Sequence, residues 1–166
     1  MTMFNELLAI KQFREQQAEL AFMRQRRRRV AAEQETEKAR NRLDRFREWA
    51  QSRERSMYAG LCERVVRVRE IETVLQEVAQ LRQDEISYES ILQKADEALD
   101  QEIKVLGERR QAHMQAMRMR TKFVELATAY EDDQLQLQNN QEDQELEEVA
   151  SRLHDRLEWL DDERAR

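Results

Sequence analysis

The chain has 166 residues, of which 39% are charged and 6% aromatic, with no proline and two glycines. A typical domain has about 25% charged residues, so this composition argues against a thick globular core and favours long exposed helices with a narrow apolar stripe. Apolar runs are too short for a membrane span or a secretory signal, and the single cysteine excludes an internal disulfide and indicates a reducing compartment.

Charge is unevenly distributed along the sequence. Residues 1–70 carry 17 basic and 11 acidic side chains, whereas residues 131–166 carry 4 basic and 13 acidic ones. This polarity says more about partners than the formal net charge of −6. A basic first part is suited to an acidic protein surface.

Residues 1–50 are predicted to form a first helical arm, because neither proline nor glycine interrupts them. Two rows of residues at heptad spacing follow one face of this arm, and nine of their fourteen members are apolar. The rows are Phe4, Lys11, Ala18, Gln25, Ala32, Ala39 and Phe46, and Leu8, Glu15, Phe22, Arg29, Thr36, Leu43 and Ala50.

A run of five arginines in six residues lies within this arm. Its members are Arg24, Arg26, Arg27, Arg28 and Arg29. They surround the helix, so at least one is expected to point toward the apolar rows. We interpret the run as a protein-binding patch, with a solvated helix face as the main alternative. Nucleic acid is disfavoured, because no aromatic residues interleave the arginines and the whole chain is acidic.

The chain is predicted to turn within residues 51–69. Gly60 is the best candidate for a helix C-cap or a kink, and a short connecting helix is expected near residues 52–62. A rival turn at residues 82–90 is disfavoured, because Leu81 and Tyr88 keep the apolar spacing through it.

Residues 70–130 are predicted to form a second arm with two further rows. Thirteen of these eighteen positions are apolar, a pattern typical of a coiled coil. The rows are Ile71, Val78, Glu85, Leu92, Leu99, Leu106, His113, Arg120 and Ala127, and Val74, Leu81, Tyr88, Ala95, Glu102, Arg109, Ala116, Phe123 and Tyr130. We call the surface formed by the four rows the seam.

The two arms fit together as an antiparallel hairpin in which the numbers of facing residues add up to about 134 or 135. This register brings large residues together and small residues together, although a shift by one heptad stays open. The predicted pairs are Phe4 with Tyr130, Glu15 with Arg120, Ala18 with Ala116, Gln25 with Arg109, Ala39 with Ala95, Leu43 with Leu92, and Phe46 with Tyr88.

Residues 131–166 are expected to form an acidic, partly mobile helical tail. Its first part has little apolar surface to bury, and a stripe returns between Val149 and Leu160. We therefore predict one elongated all-α domain made of two arms, a turn region and this tail, with the tail in need of a partner.

No arrangement in the sequence predicts an enzyme, a cofactor or a metal site. His113 and His154 are far apart, Cys62 has no neighbouring histidine, and two isolated glycines cannot form a phosphate-binding loop. The turn end of the hairpin carries the densest group of large side chains. These are Phe46, Trp49, Met57, Tyr58 and Leu61, and we interpret them as a second partner-binding group.

Several segments resemble the YscO family of type III secretion proteins, which is related in plan to the flagellar protein FliJ. They are Leu7–Arg14, Arg45–Trp49, Glu54, Met57–Tyr58, Leu61, Val68–Ile71, Val78–Arg82, Thr121–Phe123 and Glu145–Glu148. The resemblance covers most of residues 1–150. Where the family often has a proline, this chain has residues 50–52 without one, so the first helix is expected to run on further before the turn.

The resemblance implies a long two-helix coiled-coil hairpin similar to the coiled coil of the rotary ATP synthase γ subunit. It implies a cytoplasmic stalk at the inner-membrane face of a bacterial secretion apparatus, which enters the hexameric export ATPase, contacts the export gate protein and handles substrate chaperones. Such a protein would not itself be catalytic, insert into the membrane or bind nucleic acid. We expect a monomer, and the alternative is a general coiled-coil scaffold that pairs as a parallel homodimer.

Overall fold

The chain folds into two long helices, and the predicted all-α hairpin is confirmed. The computed structural model describes residues 3–164, except for the side chains of residues 161 and 162. Helix α1 spans Met3–Cys62 and helix α2 spans Val68–Arg164, with lengths of 60 and 97 residues. Within this range the structure contains no strand. Neither helix has a stretch that is both long and apolar enough to cross a membrane.

Contacts within the chain divide it into two compact units, each containing part of both helices. The turn unit comprises Gln17–Met114, and the end unit comprises Met1–Gln16 and Gln115–Arg166. In each unit the segment of α1 runs antiparallel to the segment of α2. The single elongated domain predicted from the sequence stays a prediction.

The connection between the helices is shorter than the predicted turn region. Helix α1 continues through residues 50–52 to Cys62, in agreement with the absence of a proline there, and only residues 63–67 connect it to α2. The expected short helix near residues 52–62 is therefore the last part of α1. The rival turn at residues 82–90 lies inside α2.

Gly60 does not act as a left-handed cap, so the predicted C-cap was wrong, and the alternative of a kink at Gly60 stays a prediction. The glycine lies inside α1 and has no positive φ. The change of direction is fixed instead at the start of α2, where Arg67 N–H donates to a Glu70 carboxylate oxygen at 2.9 Å. This is the backward contact of a capping box, in which a glutamate three residues into the helix satisfies the capping residue. Arg64 also pairs with Glu70, at 3.3 Å.

The predicted rows form the contact surface of the turn unit. Buried members include Thr36, Ala39 and Leu43 on α1 and Val78 on α2. Burial at spacings of three and four residues follows directly from the heptad pattern, because those positions share one face of a helix. The predicted Phe46–Tyr88 pair is confirmed, with 4.7 Å between the ring centroids.

One polar layer of the turn unit is centred on Gln25. Gln25 is 4% exposed and donates from Nε2 to the backbone oxygen of Glu102 at 3.0 Å, and also to the Glu102 carboxylate. The hydrogen-bond partner of Gln25 is thus Glu102, whereas the side chain of Arg109 is exposed, and the predicted placement of Gln25 beside Arg109 stays a prediction. The long side chain of Arg109 extends its charge into water. The side-chain amide of Gln25 therefore satisfies the polar groups of Glu102 in this layer.

The end unit keeps the predicted register. Phe4 contacts Tyr130 with ring centroids 4.9 Å apart, and Arg120 pairs with Glu15 at 3.0 Å, as predicted. A cation–π contact places Lys11 Nζ 4.9 Å from the centroid of Phe123. Beyond Tyr130, helix α2 continues to Arg164, and every residue from 131 to 160 is exposed.

Candidate partner-binding surfaces

The five arginines of the predicted binding patch are all exposed. Arg24, Arg26, Arg27, Arg28 and Arg29 are exposed, although Arg29 occupies a row position. The expectation that one arginine points into the seam was wrong. The reason is sequence spacing: Gln25 occupies the inward position of the run, and its neutral amide can be buried at lower cost than a guanidinium.

Two of these arginines have partners within α1. Arg29 Nη2 lies 2.7 Å from Glu33, and the Arg26 guanidinium lies 5.9 Å from the centroid of the Phe22 ring. Both contacts are at the surface and contribute little to stability. Among the residues that the structure describes, no carboxylate pairs with Arg24, Arg27 or Arg28. Their charges are therefore available to a partner.

Apolar side chains lie among the arginines, and the sequence interpretation did not identify them. Met23 and Val30 are about half exposed, and with Arg26 and Arg27 they line a shallow depression on α1. The sequence feature that could have identified them is their spacing of seven residues, at a heptad position that differs from those of the two seam rows. We call this set, made of the five arginines with Met23 and Val30, the basic surface.

The predicted aromatic group is centred on Phe46. Its ring contacts Tyr88 across the seam and lies 5.8 Å, between centroids, from Trp49, which is 55% exposed. Phe46, Trp49 and Tyr88 form what we call the aromatic cluster. Tyr88 was predicted as a seam residue and not as part of a binding group.

Arg47 connects the two helices beside the aromatic cluster. Its Nε lies 2.8 Å from Glu85 and its Nη2 lies 2.6 Å from Glu89. Hydrogen bonds to Glu85 and then Glu89 raise the pKa of the Arg47 guanidinium above its ordinary value. The contact joins α1 and α2 at the surface beside the cluster, and residue spacing alone gave no indication of it.

The other predicted members of this group lie closer to the turn. Met57 and Leu61 are half-buried and Tyr58 is exposed. Tyr58 follows Trp49 by nine residues, which corresponds to about 13 Å along a helix. The structure therefore separates the predicted group into the aromatic cluster and a smaller set of side chains at the end of α1.

No arrangement for metal binding occurs among the side chains that the structure describes. Cys62 is exposed at the end of α1. His113 stacks on Phe22 with ring centroids 6.1 Å apart, and His154 lies 3.4 Å from Glu158 on the same helix. These contacts account for both histidines as packing and surface residues.

Comparison with known proteins gives one family and one closely similar structure. The family described as type III secretion protein YscO matches residues 4–152. The crystal structure of type III secretion protein YscO from Vibrio parahaemolyticus is 32% identical, with a TM-score of 0.82, and the match covers 88% of this chain and 92% of that one. Curated proteins gave no match.

Proposed function

Because the chain belongs to the YscO family of type III secretion proteins, we propose that it is a non-catalytic stalk of the secretion apparatus. In this role it links the hexameric export ATPase to the export gate protein and handles substrate chaperones. Its proposed location is the cytoplasmic side of the inner membrane. The ATPase supplies the chemical energy, and this chain supplies contacts.

The geometry of the turn unit supports this role. One helix with its side chains is about 10–12 Å wide, so a pair of helices is slender enough to enter the opening of a ring protein. A stalk influences a ring only if it contacts the ring's conformations unequally. Exposed side chains on both helices offer such contacts, whereas a smooth apolar rod would not.

The observation that carries the proposal is that all five arginines of the basic surface are exposed. An acidic surface on the ATPase would attract this concentration of charge, chiefly by raising the rate of encounter and by fixing orientation. Met23 and Val30 would add apolar contact beside the charges. We assign the basic surface to the ATPase.

Charge reversal tests this assignment. We expect Arg24→Glu, Arg27→Glu and Arg28→Glu together to reduce capture of the export ATPase at least tenfold and to abolish any rise in its hydrolysis rate. The matched control reverses three exposed arginines elsewhere on α1, as Arg42→Glu, Arg45→Glu and Arg55→Glu, with the same change in net charge. Equal losses in both triple variants would indicate nonspecific attraction and reject the assignment.

We assign the aromatic cluster and the side chains at the end of α1 to the export gate protein. Trp49 combines a largely exposed ring with support from Phe46, which is typical of an anchor residue at an interface. Trp49→Ala combined with Tyr58→Ala should weaken binding to the cytoplasmic domain of the gate protein and reduce secretion. Phe13→Ala is the control, because Phe13 is 60% exposed on α1 and belongs to neither proposed binding group. Unchanged gate binding in the double variant would contradict the assignment.

We further propose that the protein acts as a monomer. Seam residues of each unit contact partners within the same chain, so a parallel homodimer would have to replace contacts such as Phe46–Tyr88. Sedimentation of the purified chain distinguishes the two states. Binding of substrate chaperones is tested by the same capture assay, with each chaperone in place of the ATPase.

A further inference from the structure

The last part of α2 carries an apolar stripe that the hairpin does not use. Its members are Leu146, Val149, Leu153, Leu157 and Leu160, which are between 48% and 67% exposed. Leu146, Leu153 and Leu160 follow one another at seven residues, so they lie on one face of the helix. We call these five residues the tail stripe.

The tail stripe has a shape suited to a helix. Beside it, Val149, Leu153 and Trp159 line a shallow depression together with Arg152 and Arg156. Trp159 is 66% exposed. A stripe that repeats every seven residues matches another amphipathic helix laid along it, since the side chains of the two helices then interdigitate over several turns.

Charge indicates which helix would fit. The segment 142–148 carries five carboxylates and no basic residue, and these acidic side chains flank the first part of the stripe. Farther along, Arg152 and Arg156 lie beside the stripe, but residues 142–160 carry seven carboxylates against these two arginines, so the segment is acidic as a whole. A helix with basic residues beside its own apolar stripe would be attracted along this face.

The same charges disfavour two other occupants. If the tail of a second copy occupied the stripe, the carboxylates of the two tails would lie close together and repel each other, whether the tails ran parallel or antiparallel. An anionic lipid surface attracts basic helices, and residues 131–166 contain 13 acidic and 4 basic side chains. A partner helix with basic flanks is therefore the favoured occupant.

We propose that the tail stripe is a docking surface for one amphipathic helix of a partner protein, with basic residues on both sides of that helix's apolar face. This inference goes beyond the proposed stalk function and does not depend on it. Two of the five stripe residues lie within the family match, which ends at residue 152, and three lie beyond it.

The test uses the full chain carrying Trp49→Phe, so that Trp159 is its one remaining tryptophan. The probe is a synthetic 21-residue peptide with leucine at the two apolar heptad positions and lysine at the positions beside them. We expect a saturable blue shift of Trp159 emission. Leu153→Ser should weaken binding at least tenfold, whereas Leu137→Ser should change it less than twofold.

Leu137 is a matched control because it is exposed to the same extent as Leu153 on the same helix but lies outside the stripe. A peptide with glutamate in place of lysine should bind at least tenfold more weakly, and a peptide of scrambled sequence should not shift the emission. Similar binding by all three peptides, or by the two leucine variants, would overturn the proposal.

Two further measurements address the other occupants. Sedimentation of the chain alone should show no association that Leu153→Ser removes, since such association would make a second copy the occupant. Vesicles with one quarter phosphatidylserine should leave Trp159 emission unchanged. A shift larger than that produced by the lysine peptide would make the occupant a lipid surface and overturn the proposal.

Discussion

Leu43 provides the sharpest test of whether the seam stabilises the turn unit. Its side chain is 3% exposed, and Ala39, one turn earlier on the same face, is too small to fill the space that Leu43→Ala would leave. Leucine-to-alanine changes in protein cores cost about 2–5 kcal/mol. We expect about 2–3 kcal/mol here, because water borders the seam on both sides and lets the site relax.

The measurement is urea unfolding followed by circular dichroism at 222 nm. Alanine is the better helix former by a few tenths of a kcal/mol at most, so helix propensity cannot produce the expected loss. Leu153→Ala is the matched control, because Leu153 is 55% exposed and the chemical change is identical. It should alter the free energy of unfolding by less than about 0.5 kcal/mol. Equal effects of the two substitutions would refute the assignment of stability to seam burial.

Three further predictions concern single contacts of the turn unit. Gln25→Ala should lower the free energy of unfolding by about 1–2 kcal/mol, because the half-buried oxygens of Glu102 lose their donor; an unchanged urea midpoint would contradict this. The double variant Ala39→Cys with Ala95→Cys, in a Cys62→Ser background, should form a disulfide under mild oxidation. The disulfide is detected as a loss of mass by the monomer without formation of a dimer, and its absence would count against the predicted register. Arg47→Ala should cost less than about 1 kcal/mol, and the difference from the unaltered chain should shrink in high salt.

Much of the hairpin could be predicted because large residues recur at heptad spacing in both arms. The pairs Phe4–Tyr130 and Phe46–Tyr88 follow from a single register, and both are present. A heptad pattern determines which face of a helix is turned inward. It therefore predicts the contact surface even for a chain with a charged fraction as high as this one.

The same pattern could not predict which long side chains leave the seam. Arg29 and Arg109 occupy row positions but are exposed, because a flexible stem lets each guanidinium reach water. Glu102 occupies a row position too, and it is half-buried because Gln25 satisfies it. Heptad periodicity assigns a residue to a face of the helix, whereas solvation and hydrogen bonding decide whether its side chain on that face is buried or exposed.

The ends of the helices and the outer surfaces were also difficult to predict. Gly60 suggested an earlier end of α1, yet this glycine has no positive φ and the helix continues through it to Cys62. The contact from Arg67 to Glu70 that starts α2 was visible as a glutamate at the third helical position. Met23 and Val30 could not be predicted from the seam rows, because their heptad positions differ from those of the seam.

The stretch of α1 that follows the polar layer at Gln25 is a mechanically soft position of the turn unit. Every side chain of α1 from Arg26 to Ala31 is exposed, so nearly two helical turns contribute no buried residue to the seam. Local opening should cost less there than at the buried layers around Thr36, Ala39 and Leu43, so the turn unit should bend there more easily than at those layers. A partner that binds the arginines would therefore hold the hairpin at a part of the turn unit that bends more easily than its buried layers.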